Sequence, residues 1–171
     1  ADPGFAMAFA ALSQARMWLF WNFPGFQDEA ELARLALDRA LEVAPNAVET
    51  RLAQGFFFYY GRGDAEEALR HFAAAEEMKP SDANVIAAIG LVLRGQGRWE
   101  EAIAAFRRAR TVDPRSYNLA FTLADTHFRM REYTEAERVL LEELDAQTTL
   151  SAQLLVLLVR ILFASFLLAA G

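Results

Sequence analysis

The stretch Gly97-Arg98-Trp99-Glu100-Glu101-Ala102-Ile103-Ala104-Ala105-Phe106-Arg107-Arg108-Ala109-Arg110-Thr111-Val112-Asp113-Pro114 decides the fold, because its pattern recurs along the chain. It opens on a turn signal. It continues with Ala102, Ile103, Phe106 and Ala109 at helical spacing, and it closes on a proline, which cannot continue a helix. One period earlier, Gly63-Asp64-Ala65-Glu66-Glu67-Ala68 leads to Phe72, Ala75 and Pro80. One period later, Arg131-Glu132-Tyr133-Thr134-Glu135-Ala136 leads to Leu140. Pro80 and Pro114 are 34 residues apart, Pro45 and Pro80 are 35 apart, and Pro3 and Pro45 are 42 apart. A period of this length signifies stacked structural units, each unable to bury its apolar face alone.

Each unit reads as two helices. In the third, Ile86, Ile89, Gly90 and Leu93 form the stripe of the first helix, and Ala102, Ile103, Phe106 and Ala109 that of the second. The small residues Gly90 and Ala102 let the two backbones approach, and Phe106 fills the space beside them. Gly55 and Ala124 hold the place of Gly90 in the neighbouring units. A 34-residue helix-turn-helix with small residues at fixed places, an aromatic and a closing proline resembles the tetratricopeptide repeat (TPR). The resemblance covers roughly residues 5 to 148. It implies an all-α superhelix of about four repeats, near 5–46, 47–82, 83–116 and 117–149, within an array spanning 1–149. The run Phe56-Phe57-Phe58-Tyr59-Tyr60 and the stretch from Gly97 to Ala102 resemble, more narrowly, the TPR regions of multidomain bacterial regulators.

Departures from the pattern are informative. The second unit holds one extra residue between Gly55 and Ala68, expected in its internal turn. The first holds about eight extra around Trp18 to Gln27, with Pro24-Gly25 as breaker. Trp18-Leu19-Phe20-Trp21-Asn22-Phe23 is too apolar for a solvated loop, so it is expected to lengthen the first helix and fold back onto the array. In the fourth unit Glu143 stands where Ala75 and Ala109 stand, and Thr148 replaces the proline. Residues 150–171 then change character. Leu154-Leu155-Val156-Leu157-Leu158-Val159 precedes Arg160, the one charged residue of that segment. An apolar C-terminal helix is expected there, buried on more than one side. As a membrane anchor it would be short, and Arg160 would lie mid-span.

The 171 residues suffice for one core, and 54% hydrophobic content excludes a disordered class. Acids outnumber bases 23 to 17, and Lys79 is the sole lysine, which argues against nucleic acid. With no cysteine, disulfides, thiolate zinc sites and a cysteine nucleophile are excluded. No Ser-His-Asp set, HExxH, phosphate loop or GxGxxG is present. His71 reads as a surface residue and His127 as a substitution at a core position. Glu66-Glu67 and Glu100-Glu101 open second helices, where they complement the helix dipole. No catalysis, metal or cofactor is expected. The opening Ala1-Asp2-Pro3 matches the way a repeat ends, so the chain reads as a piece of a longer protein.

The resemblance implies that the first helices line a concave, peptide-binding face. The periodicity places Asn84, Ala87, Ala88, Leu91, Arg94 and Gly95 opposite the core stripe, and the repeat shifts carry that face along the chain. The candidate groove residues are Met17, Trp18, Phe56, Tyr59, Tyr60, Asn84, Leu91, Arg94, Asn118, Phe121, Thr122 and Asp125. A slip of one residue in the second unit would put Phe57 in place of Phe56. Leu52, Ala53, Ala87 and Ala88 occupy the places where some members of the family hold a partner's C-terminal carboxylate, so that clamp is not supported. The aromatic run fits either an apolar peptide site or a helix packed all round. The function expected is a non-enzymatic scaffold binding a protein or peptide. The alternatives are an oligomerisation module assembled through 150–170 and a membrane-tethered adaptor anchored by 154–170. A cytoplasmic location is expected in the absence of such an anchor.

Overall fold

A computed structural model of the protein describes residues 3–146. Those residues form eight α-helices in chain order: α1 (Pro3–Asn22), α2 (Glu29–Val43), α3 (Val48–Phe56), α4 (Ala65–Met78), α5 (Ala83–Gly95), α6 (Trp99–Val112), α7 (Tyr117–Arg129) and α8 (Tyr133–Ala146). A π-helical segment, Phe57–Arg62, continues α3. There is no strand among the described residues. The expected apolar helix at 150–171 lies outside them. The contacts divide the chain into two compact units, one reaching to Ala105 and one beginning at Phe106.

In the first unit α1 packs on α2, and α3 on α4, while α1 also meets α3 and the π-segment. The helices start and stop where local chemistry dictates. Asp64 caps α4, its side chain accepting from the Glu67 N–H at 2.9 Å, and Asp82 caps α5 by accepting from Asn84 and Val85. Burial opposes ionisation of Asp82, but its bonds to Lys79 and to those two backbone N–H groups hold its carboxyl below the ordinary value. Gly63 and Gly97, at φ +66° and +75°, close the first helices of their hairpins. Arg131 does so at φ 63°, a conformation that usually favours glycine.

These left-handed residues locate the extra residue of the second repeat. Gly63, Gly97 and Arg131 follow one another at 34, whereas Gly55, Gly90 and Ala124 are spaced 35 and then 34. The surplus therefore lies between Gly55 and Gly63, inside the helix and not in the turn where it was expected. The backbone absorbs it as π-helix: both the Gly63 and the Asp64 N–H reach the Phe58 carbonyl, the latter at 3.1 Å. Such insertions re-aim the side chains that follow and are frequent at functional sites.

The core of α3–α4 is the close approach at Gly55. A Cβ built there would meet the Phe72 ring at 2.1 Å, so glycine is what allows the ring in. Phe72 is 0% exposed and packs with Leu52, Ala68, Ala75, Val85, Ala88 and Val92. A second cluster joins Ala10, Leu37, Ala40 and Ala53, with Phe9, Leu41 and Phe57 against it. The insertion in the first repeat does lengthen a helix: α1 runs 20 residues, against 13 in α5 and α7. It ends where the Asn22 side chain bonds the Trp18 carbonyl at 2.9 Å and Pro24-Gly25 turns the chain, Gly25 at φ +106°. Arg16 ties α1 to α2 through a part-buried ion pair with Glu29 at 2.6 Å.

In the second unit α7 packs on α8. Leu119, Ala120, Leu123 and Ala124 face Ala136, Val139 and Leu140 as the buried stripes of the two helices. His127 is buried there, as its core position predicts. Its Nδ1 lies 2.7 Å from Glu132 Oε2, and its Nε2 has no hydrogen-bond partner among the described residues. Glu143 is also buried, 3.6 Å from Arg110, which explains how a carboxylate replaces the alanine of the other repeats.

Candidate functional site

The first unit carries an open cleft of about 280 Å3 lined by Gln14, Ala15, Trp18, Phe56, Tyr60 and Leu91. Three elements supply it. The lengthened α1 brings Trp18, the α3–π junction brings Phe56 and Tyr60, and α5 brings Leu91. The aromatic rings brace one another. Phe56 and Tyr60 stack at 5.8 Å, Phe56 meets the core ring of Phe72 edge-on at 5.1 Å, and Trp21 lies over Tyr59 at 6.3 Å and Tyr60 at 5.5 Å. Trp18 is 50% exposed with Phe23 edge-on at 5.4 Å, and Phe26 continues the string. The volume falls just below the range for ligand pockets and suits a few apolar side chains of a partner.

Burial pushes the Tyr60 phenol up to about 12, with Tyr59 adding to the effect and Arg94 opposing it. Burial likewise raises Tyr59, against Arg94. Both phenols are neutral at physiological pH. Tyr59 uses its hydroxyl structurally, donating to the Leu91 carbonyl at 3.2 Å. The cleft is therefore apolar and uncharged at its base, with the Arg94 guanidinium close enough to act on both phenols. Among the described residues no group of three or more acidic or histidine side chains is arranged to hold a metal.

Of the residues expected in the groove, Trp18, Phe56, Tyr60 and Leu91 meet at this cleft. Met17 does not reach the surface. It is 0% exposed and lies beneath the π-segment, where a Cβ on Gly61 would sit 3.2 Å from its sulfur. The buried stripe of α1 is Ala6, Ala10, Ser13 and Met17, so the groove side of that helix is one residue further on. Leu52, Ala53 and Ala88, which the same shifts put on the face, are core residues. Phe57 turns to the first hairpin and Phe58 to α4, where it stacks on His71 at 5.3 Å. His71 is accordingly half-buried and not the surface residue expected; burial chiefly lowers its pKa, with Glu67 opposing at 3.4 Å. Asn84 is exposed on α5.

In the second unit Asn118 and Phe121 are exposed on α7 and Thr122 and Asp125 half-buried, all on the face away from the Leu119–Leu123 stripe. Asp125 is held by Arg129 at 2.9 Å. Tyr117 lies beside Phe121 at 6.3 Å. Sequence reasoning missed Ala15, and also Trp21, Phe23 and Phe26, whose signal was the apolar insertion itself, which gave no register.

A family model described as tetratricopeptide repeat matches residues 59–116 and 87–151, together more than half of the chain. The chain belongs to the tetratricopeptide-repeat family. Members of that family are protein-interaction scaffolds. Among curated proteins, the chain is 29% identical over 147 residues to a peroxisomal targeting signal receptor of Eremothecium gossypii, covering 79% of this chain and 26% of that protein. The TPR chain thus spans about a quarter of that relative's length. Among solved structures it is similar to PilF of Pseudomonas aeruginosa, with a TM-score of 0.61, 22% identity and coverage of 83% of this chain and 62% of that one. MamA of Desulfovibrio magneticus RS-1 gives 0.58 and 20%, covering 86% and 78%. A structure of Naa15/Naa10 bound to HypK-THB gives 0.63 and 20%, covering 82% and 20%. At these identities the structural likeness shows the shared fold.

Proposed function

We propose that this TPR chain is a non-enzymatic scaffold that binds a peptide or helix through apolar side chains, with the aromatic cleft of its first unit as the anchor site. The observation that carries this reading is the cleft: half-exposed Trp18 faces Phe56 and Tyr60 across an open, uncharged space. Buried aromatic anchors dominate interface energies, and a prearranged ring cluster has little conformational freedom left to lose on binding. The relative named as a targeting signal receptor, and the neighbour solved in a protein complex, support the same class of role. The exposed face of α7, with Asn118, Phe121, Thr122 and Asp125, offers a second, more polar patch for the same partner or another.

The test starts from a peptide selected against the chain from a random displayed library. Trp18→Ser removes an exposed ring, so the fold survives and the affinity is expected to fall about tenfold, the equivalent of about 1.4 kcal/mol. Asp125→Ala is expected to change it by less than about threefold, on the same arithmetic. Phe56 and Tyr59 are poorer probes, since one packs on Phe72 and the other bonds Leu91. Equal affinity for wild type and a folded Trp18→Ser protein would remove the cleft from the site.

A further inference from the structure

The aromatic cleft is one-sided in its hydrogen bonding. The polar groups among its lining side chains are the Trp18 indole N–H, which only donates, and the Tyr60 hydroxyl and Gln14 carboxamide, which can donate. Burial keeps the proton on Tyr60 by pushing its phenol up to about 12. The charge that acts on both phenols is the Arg94 guanidinium, again a donor. No carboxylate lines the cleft. All six lining residues stand on helical backbone, so the cleft offers no strand edge to which an extended peptide could add its own N–H groups. The partner that fits is one that brings acceptors and flat apolar surface and few donors.

We infer that the cleft takes a proline-rich segment in the polyproline II conformation, its pyrrolidine rings packed between Trp18 and the Phe56–Tyr60 pair and its carbonyls accepting from Trp18, Tyr60 and Gln14. The inference rests on reading the cleft as a protein-binding site and names the partner's chemistry. Proline has no backbone N–H, so such a segment sets acceptors and no donors against a donor-lined wall. Polyproline II makes no internal hydrogen bonds, which leaves those carbonyls unspent. An extended peptide without proline would press N–H groups onto the aromatic faces, and a donor left unpaired there costs binding energy. An α-helix has spent its carbonyls in its own ladder and would cover the cleft's three polar groups with apolar side chains. The rings are set for flat partners: Phe56 and Tyr60 lie 8° from parallel at 5.8 Å, Trp21 braces Tyr60 at 5.5 Å, and Trp18 leaves half its surface open. A segment whose φ angles are already fixed loses little freedom on docking, which is why proline-rich segments suit prearranged aromatic grooves.

The probe is a proline decamer capped at both ends, titrated into the full chain and followed by calorimetry, with a capped Gly-Ser decamer as reference. The proline decamer is expected to bind at least about tenfold more tightly than the reference and to displace the library-selected peptide. Trp18→Ser should lower its affinity about tenfold. Tyr60→Phe keeps the ring and removes the hydroxyl, and should lower it by about two- to tenfold. Circular dichroism melting shows that each variant is folded. A proline decamer bound no more tightly than the reference would overturn the inference. So would equal affinity for the wild type and a folded Trp18→Ser protein, which would put the decamer elsewhere, or equal affinity for Tyr60→Phe, which would remove the donor from the contact. The two readings fail separately. A library-selected peptide whose affinity depends on Trp18, but which the proline decamer does not displace, would refute the proline-rich partner and leave the cleft as a site for a helix. Trp18-independent affinities for both peptides would refute both.

Discussion

Phe72→Ala is expected to cost about 3–5 kcal/mol of unfolding free energy, the largest loss of any single truncation in the first unit. The ring is fully buried and sits among Leu52, Ala68, Ala75, Val85, Ala88 and Val92, with Phe56 edge-on against it. Its removal leaves a cavity bounded by three helices and undercuts the floor of the cleft. On a chain of this size each kcal/mol lowers the melting temperature by about 2–4 °C, so a fall of roughly 6–20 °C should be seen by circular dichroism. A fall within about 2 °C, less than even 1 kcal/mol would produce, would mean that the ring is not in the core.

Gly55→Ala is the second, and here two effects of opposite sign compete. Alanine in a helix interior is favoured over glycine by about 0.8–1.0 kcal/mol. Against that, its Cβ would lie 2.1 Å from one Phe72 ring carbon and 2.5 and 2.6 Å from two others. The ring has nowhere to go, and overpacking typically costs about 1–3 kcal/mol, more where nothing can shift. The clash wins, and the variant is expected to lose about 2 kcal/mol net. A double-mutant cycle isolates the cause: in a Phe72→Ala background the same Gly55→Ala change should be neutral or stabilising, because only the propensity term is left. Gly55→Ala that stabilises the wild type would place Phe72 elsewhere.

Much of the repeat was legible because its chemistry is local. Gly63 and Gly97 close helices with left-handed backbone, Asp64 and Asp82 cap the next ones, and prolines stop them, all within a few residues of sequence. The extra residue of the second repeat was countable but not placeable. A turn and a π-segment absorb one residue equally well in a one-dimensional alignment, and Arg131 had to be recognised as occupying the glycine's conformation to locate it. The groove was harder. Met17 and Trp18 are adjacent, and α1 carries apolar residues all round, with Ser13, Gln14 and Arg16 too few and too scattered to fix its phase, so a shift by repeat length put the buried one on the surface. Tyr59 and Tyr60 were placed near the cleft by the same count, but their separation into a hydrogen-bonding brace and a cleft wall depends on the π-segment. Phe57 and Phe58 look identical to Phe56 in sequence and are assigned to different neighbours only by packing.

The claim that the aromatic cleft is where this TPR scaffold holds its partner is tested most directly by the fluorescence of Trp18. The chain has three tryptophans, and Trp21→Phe with Trp99→Phe leaves Trp18 as the sole emitter. The account predicts that the library-selected peptide shifts its emission to the blue and that the shift saturates at the affinity measured independently by calorimetry. A peptide that binds at that affinity and leaves the Trp18 spectrum unchanged would contradict it.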